Sequence, residues 1–183
     1  MTSHLPPKPN GPDEVLETMK IAIASDHAGY AYKGEILAYL KSQGYDVEDF
    51  GTNSASPVDY PDYIKPAARS VARGDSDAGV VLGGSGNGEA MAANKVRGIR
   101  CAVCWNTASA KLAKEHNNAN MIAIGQRMVS LDTALRIVEA WLEARFEGGR
   151  HTARIKKIEE DQQESKEARP AEDRRCQSAP RGM

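Results

Sequence analysis

The stretch Gly83-Gly84-Ser85-Gly86-Asn87-Gly88-Glu89 pairs a run of unhindered backbone amides with a single carboxylate. It follows the apolar segment Ala78-Gly79-Val80-Val81-Leu82 and precedes a helix-prone segment from Ala90 to Val96. A strand that opens into a glycine-rich turn and then a helix aims several N–H groups at one point, which suits an anion or a developing oxyanion. The glycine spacing from Gly83 to Gly88 fits a phosphate loop of the form G-x-x-x-x-G-K-[ST]. Glu89, however, stands where the lysine belongs and would repel a triphosphate. The dinucleotide pattern G-x-G-x-x-G is absent from the loop. An anion-stabilising turn that ends in a base points to proton abstraction beside a carbonyl.

Further polar groups sit where strands and helices end. Asp26-His27 directly follows the apolar run Lys20–Ser25. Asp26 reads equally as a cap on the next helix or as a chemical group. His116-Asn117-Asn118 closes a helical segment, where Asn and His are also favoured by backbone geometry and the helix dipole. Arg127, Arg150, His151 and Arg154 form a cationic set, and arginine forks match phosphate oxygens. Taken singly, each is an ordinary solvated charge.

The elements that must position these groups alternate. Strands are expected at Lys20–Ser25, Asp46–Phe50, Ala78–Leu82, Arg100–Trp105 and Met121–Gly125. Helices are expected at Tyr30–Gln43, Pro61–Arg73, Asn87–Val96, Thr107–Asn117 and Leu131–Phe146. In the last of these, Leu131, Leu135, Val138, Trp141, Leu142 and Phe146 recur at helical spacing behind Ser130, a suitable N-cap. Gly44 suits a helix C′ position, and Pro66 predicts a kink or a late start in its helix. Alternation of this kind implies an α/β fold: a Rossmann-like three-layer α/β/α arrangement around a five-stranded parallel sheet. Ligands in such folds gather beyond the carboxyl ends of the strands.

With 183 residues, 24 Lys plus Arg, 25 Asp plus Glu and a formal net charge of −1, the chain shows no basic excess for nucleic acid. No apolar run approaches the ~20 residues of a membrane span. Cys101 and Cys104 lie within an apolar run, alternate residues of which share one face. No second Cys/His pair has metal-ligand spacing, so both read as structural. Residues 1–18 read as a flexible leader, 19–160 as the folded domain and 161–183 as a disordered tail, in a cytoplasmic protein.

The segments IAIASDHAGY, GGSGNGEAMAANKV, EHNNAN and IGQRM, in this order, resemble the ribose/galactose-6-phosphate isomerase family over about residues 19 to 160. That resemblance implies an aldose–ketose isomerase without metal or other cofactor, interconverting ribose 5-phosphate and ribulose 5-phosphate in the pentose phosphate pathway. It also implies a homodimer or dimer of dimers whose active sites are shared between subunits. One branch of the family carries a cysteine base at the position of Gly83; the other places a glutamate at the loop's end, which Glu89 matches. By the same resemblance, His116 protonates the sugar's ring oxygen while Asp26 helps remove the anomeric hydroxyl proton. Glu89 then moves a proton from C2 to C1 through a cis-enediolate. The amides of Gly84, Gly86, Asn87 and Gly88 face the developing charge, Ser85 shuttles protons between O1 and O2, and Asn117 orients hydroxyls. His27, Arg127, Arg150 and Arg154 hold the phosphate, with Arg127 or the His116 segment supplied by the partner. The alternatives are a six-carbon aldose 6-phosphate of the allose or galactose type, or a non-catalytic phosphosugar-binding module. The module could dispense with Glu89, His116 and Asp26.

Overall fold

In the computed structural model, residues 18–167 are described, the last seven as backbone only. The order of elements is β1 (Lys20–Ser25), α1 (Tyr30–Ser42), β2 (Asp46–Asp49), α2 (Pro61–Arg73), β3 (Ala78–Gly83), α3 (Asn87–Ala93), β4 (Cys101–Val103), α4 (Thr107–Asn117), β5 (Met121–Gly125), α5 (Leu131–Glu143) and α6 (Arg150–Glu167). All pairings are parallel, in the order β2-β1-β3-β5-β4. This is the expected five-stranded Rossmann-like α/β/α architecture.

The central strands β1, β3 and β5 are apolar on both faces because both are covered. Ile21 and Ile23 of β1 pack with Ile36 and Leu40 of α1 and with Ile137, Val138 and Trp141 of α5. Ala22 and Ala24 face the other layer, with Ile64 and Ala67 of α2 and Ala90 and Ala93 of α3. The smaller residues on that side let α2 and α3 approach the sheet closely. Cys101 belongs to the second layer and Cys104 to the first, both buried and free. The two cysteines therefore pack into different layers, as positions three apart on an extended segment do. Burial pushes the Cys104 thiol up to about 12 and raises Cys101 as well, so neither is an activated thiolate.

Caps fall where the sequence placed them. The Ser130 side chain accepts from the Thr133 amide, and Gly44 follows α1 at φ 88°. Pro66 lies inside α2 without delaying its start at Pro61. Expected boundaries at 96 and 146 overshoot α3 and α5, and β4 is shorter than Arg100–Trp105. Helix α6 had no counterpart in the sequence reading. Only Ala153, Ile155 and Ile158 interrupt its polar run from Arg150 to Glu160, too sparse a stripe for periodicity to find. It is held against the body by Arg100, whose Nη1 pairs with Glu159 at 2.6 Å. The expected domain boundary at 160 falls within this helix, while the leader 1–17 and residues 168–183 lie outside the described residues.

Candidate active site

The order of strands changes direction between β1 and β3, and such a switch point leaves a crevice at the strands' carboxyl ends. The two segments that follow these strands are Asp26-His27 and the Gly83–Glu89 loop. Register brings their starting points level: Ser25 lies opposite Leu82, and Gly83 opposite Gly125.

The loop folds back on β5. Gln126 and Arg127 donate their amides to the carbonyls of Gly83 and Gly84 at 2.9 and 3.1 Å. Gly86 precedes α3 at φ 82°, a left-handed conformation that any side chain would strain. That turn starts α3, and Glu89 in its first turn points back beneath the loop, 4% exposed. A Cβ at position 83 would fall directly on the Glu89 carboxyl group. The glycine there is the space the carboxylate occupies. Burial lifts the Glu89 pKa above its usual range, and the charge of Asp26 adds to the shift. Hydrogen bonds from the backbone of Glu89 and Gly86 oppose it. A carboxylate raised by burial is a stronger base than a solvated one, which suits proton abstraction.

Asp26 is buried, and its Oδ1 accepts from the amides of Ala28 and Gly29 at 2.9 and 3.0 Å. The residue that caps α1 is Gly29, without a side-chain bond. Asp26 instead closes the preceding turn, with its carboxyl group lining the cleft. The His27 Nδ1 accepts from the Val58 amide at 3.2 Å, which leaves Nε2 to carry the ring proton. Arg127 lies over the loop, its Nη1 3.2 Å from where a Gly84 Cβ would stand. Tyr60 covers Gly88 in the same way, its ring carbon 3.0 Å from that glycine's Cβ position. Together these residues line a cleft of about 380 Å³ that also includes Ser85 and Met128. A second hollow of about 350 Å³, beneath α6, is lined by Asn118, Phe146, Ile155 and Glu159; it touches none of the strand-end groups.

His116, Asn117, Arg150 and Arg154 are not in this cleft. Helix α4 joins two parallel strands, so it runs against them and ends near their amino ends. His116 in its last turn stacks on His151 of α6, ring centroids 4.4 Å apart. Within one chain the predicted site residues thus fall into two groups at opposite ends of the sheet. Of the two segments that a partner was expected to supply, Arg127 lines its own chain's cleft.

Residues 21–158 match the family described as Ribose/Galactose Isomerase. The chain is 46% identical over 139 residues to ribose-5-phosphate isomerase B of Escherichia coli (strain K12), covering 76% of this chain and 93% of that relative. Among solved structures, ribose-5-phosphate isomerase B of Clostridium thermocellum is 51% identical with a TM-score of 0.80, covering 80% of this chain and 99% of that one. The enzyme from Mycoplasma genitalium with bound ribulose-5-phosphate is 40% identical with a TM-score of 0.77, over 80% and 97% of the respective chains. The chain belongs to the ribose/galactose isomerase family.

Two residues that matter to this family member's cleft escaped the sequence reading. Tyr60 lies just before α2 and reaches the Gly88 turn only through the fold. Lys33 of α1 is 2% exposed, and its Nζ meets both oxygens of Asp49 at 2.6 Å. Asp49 in turn accepts from the Gly51 amide at 2.9 Å, and the Gly51 carbonyl accepts from the Ser25 amide at 2.7 Å. The pair of a buried lysine and a more exposed aspartate thereby ties down the strand end that carries Asp26. A lysine in an otherwise amphipathic helix gives no hint of such burial.

Proposed function

We propose that this chain interconverts ribose 5-phosphate and ribulose 5-phosphate through a cis-enediolate, with Glu89 as the base. One observation carries the reading: a buried carboxylate occupies the space left by Gly83, beside a loop of amides at the switch point of the sheet. The Glu89 carboxylate takes the proton from C2 as the C1 carbonyl becomes an enediolate oxygen. The amides of Gly84, Gly86, Asn87 and Gly88 stabilise that charge, each such donor being worth roughly 3 kcal/mol in comparable sites. The Ser85 hydroxyl, which both donates and accepts, moves a proton between O2 and O1. Protonated Glu89 then delivers its proton to C1 and is restored. Phosphate is held by His27 and Arg127 in the cleft.

The furanose ring must open first. Asp26 withdraws the anomeric hydroxyl proton and His116 protonates the ring oxygen. Because His116, Asn117, Arg150 and Arg154 lie at the far end of their own sheet, a second copy of the chain supplies them. The working unit is therefore a homodimer or a dimer of dimers. Relatives whose names specify ribose-5-phosphate isomerase support the five-carbon substrate. The test is a coupled assay of the purified protein with ribose, allose and galactose phosphates. Ribose 5-phosphate should give the highest kcat/KM; a preference for a six-carbon substrate would overturn the assignment, and no turnover of any would overturn the isomerase.

A further inference from the structure

The far end of the sheet holds a cluster that the isomerase mechanism does not fully use. His116 comes from the last turn of α4, Glu147 from the segment between α5 and α6, and His151 from the first turn of α6. The Nε2 atoms of both histidines lie 3.8 Å from the same Glu147 oxygen, Oε2. At that distance neither contact is a hydrogen bond. One ligand atom from each residue lies within 4.8 Å of the others. The imidazoles are stacked nearly parallel, 8° apart, and both present Nε2 to the same carboxylate oxygen. Their backbones are tied together as well: the Glu147 amide donates to the Glu115 carbonyl at 3.0 Å, and the His151 amide to Gly148 at 3.1 Å.

We infer that His116, Glu147 and His151 bind a divalent cation of the zinc, cobalt or nickel kind, and that the bound ion takes His116 away from ring opening. Two imidazoles, one carboxylate and a water make a common tetrahedral set. Nitrogen donors favour these metals over magnesium or calcium, which take oxygen. Tetrahedral bonds of about 2.1 Å place donors about 3.4 Å apart, so the trio must draw in, and because an imidazole lone pair lies in its ring plane, one of the two stacked rings must also turn toward the ion. The side chains of His116 and Glu147 are exposed enough to make those movements. The cation would be an inhibitor rather than a cofactor, since the lone pair it occupies is the one that must carry the proton. Sequence spacing could not show this trio, because the ligands come from three elements.

Only the second clause rests on the isomerase reading, and the experiment separates them. Metal-free protein, as the full chain, is titrated with Co2+ and followed by its visible absorption, and with Zn2+ by calorimetry. One equivalent per chain with a tetrahedral cobalt spectrum is expected. Glu147→Ala and His151→Ala should each weaken binding by at least ~10-fold, since even the supporting partners of metal ligands are worth that much. Glu147 is largely solvated, so the first variant keeps the fold intact if the second does not. Stoichiometric Zn2+ should inhibit the parent enzyme, a chelator should restore it, and Glu147→Ala should resist. Absence of cobalt binding, or binding by both variants as tight as the parent's, overturns the site. Binding without inhibition overturns the role given to the ion. Failure of the metal-free parent to isomerise any sugar phosphate would sink the isomerase reading and leave the titration standing.

Discussion

The two ends of the sheet present chemical groups in opposite ways. At the carboxyl end, Asp26, Ser85, Glu89 and Arg127 converge on one cleft, held by backbone contacts between adjacent strand ends. At the amino end, Asn117, Arg150 and Arg154 are exposed and His116 is half-exposed, facing Glu147 and His151. The first group is preorganised by the fold. On the proposed mechanism, the second gains a reaction partner when another copy of the chain docks against it. A single chain would then supply proton transfer at carbon, and its partner the opening of the ring.

The sharpest way to break this division is to disable each end separately. Glu89→Gln should lower kcat by at least ~100-fold, the lower limit usually seen for a positioned base. Near-normal turnover would remove Glu89 from the carboxyl-end group. Next, Glu89→Gln and His116→Ala chains, each inactive alone, are mixed and reassorted. If sites are shared across a two-fold interface, roughly a quarter of parental activity should return, because half the dimers are hybrids with one intact site. No recovery would place His116 and Glu89 in the same chain's site and refute the division.

How much of this was legible in sequence follows the same line. Gly83 to Glu89 is contiguous, so its chemistry and its place between strand and helix could be read directly. The switch point was implied by alternation alone, and Asp26-His27 lands there because it ends β1. Tyr60 and Lys33 were invisible because their partners, Gly88 and Asp49, meet them only after folding. Asp26 showed the limit of local reasoning. It serves both the turn, through the amides of Ala28 and Gly29, and the cleft. The segment α6 was missed because two isoleucines do not make a stripe, and with it the amino-end cluster of His116, Glu147 and His151.

A smaller effect sharpens the account of the carboxyl end. Gly83→Ala adds one methyl where the Glu89 carboxyl lies. The strand is anchored on both sides, so the side chain must yield. Displacement of a catalytic group by about 1 Å can cost ~100-fold, and a partial shift predicts a loss of tens-fold in kcat with KM little changed. Unchanged kcat would mean that the carboxylate is not confined by position 83.

The smallest effect is on stability, and its sign distinguishes a buried base from a structural carboxylate. Glu89 has a folded pKa above the usual 4.5 because burial disfavours its charge. Below that usual value both folded and unfolded chains are protonated, and the group's stabilising contribution is fully present. As pH rises through the raised folded value, the unfolded chain holds fewer protons and stability falls. Glu89→Gln carries no charge to desolvate, so its Tm should exceed the parent's at neutral pH and converge with it in acid. Arg150 and Arg154 at the amino end, being exposed, should show no comparable gap when neutralised. A Tm for Glu89→Gln at or below the parent's at neutral pH would mean that the carboxylate stabilises its surroundings, and the cleft would lose its claim to a strained, functional base.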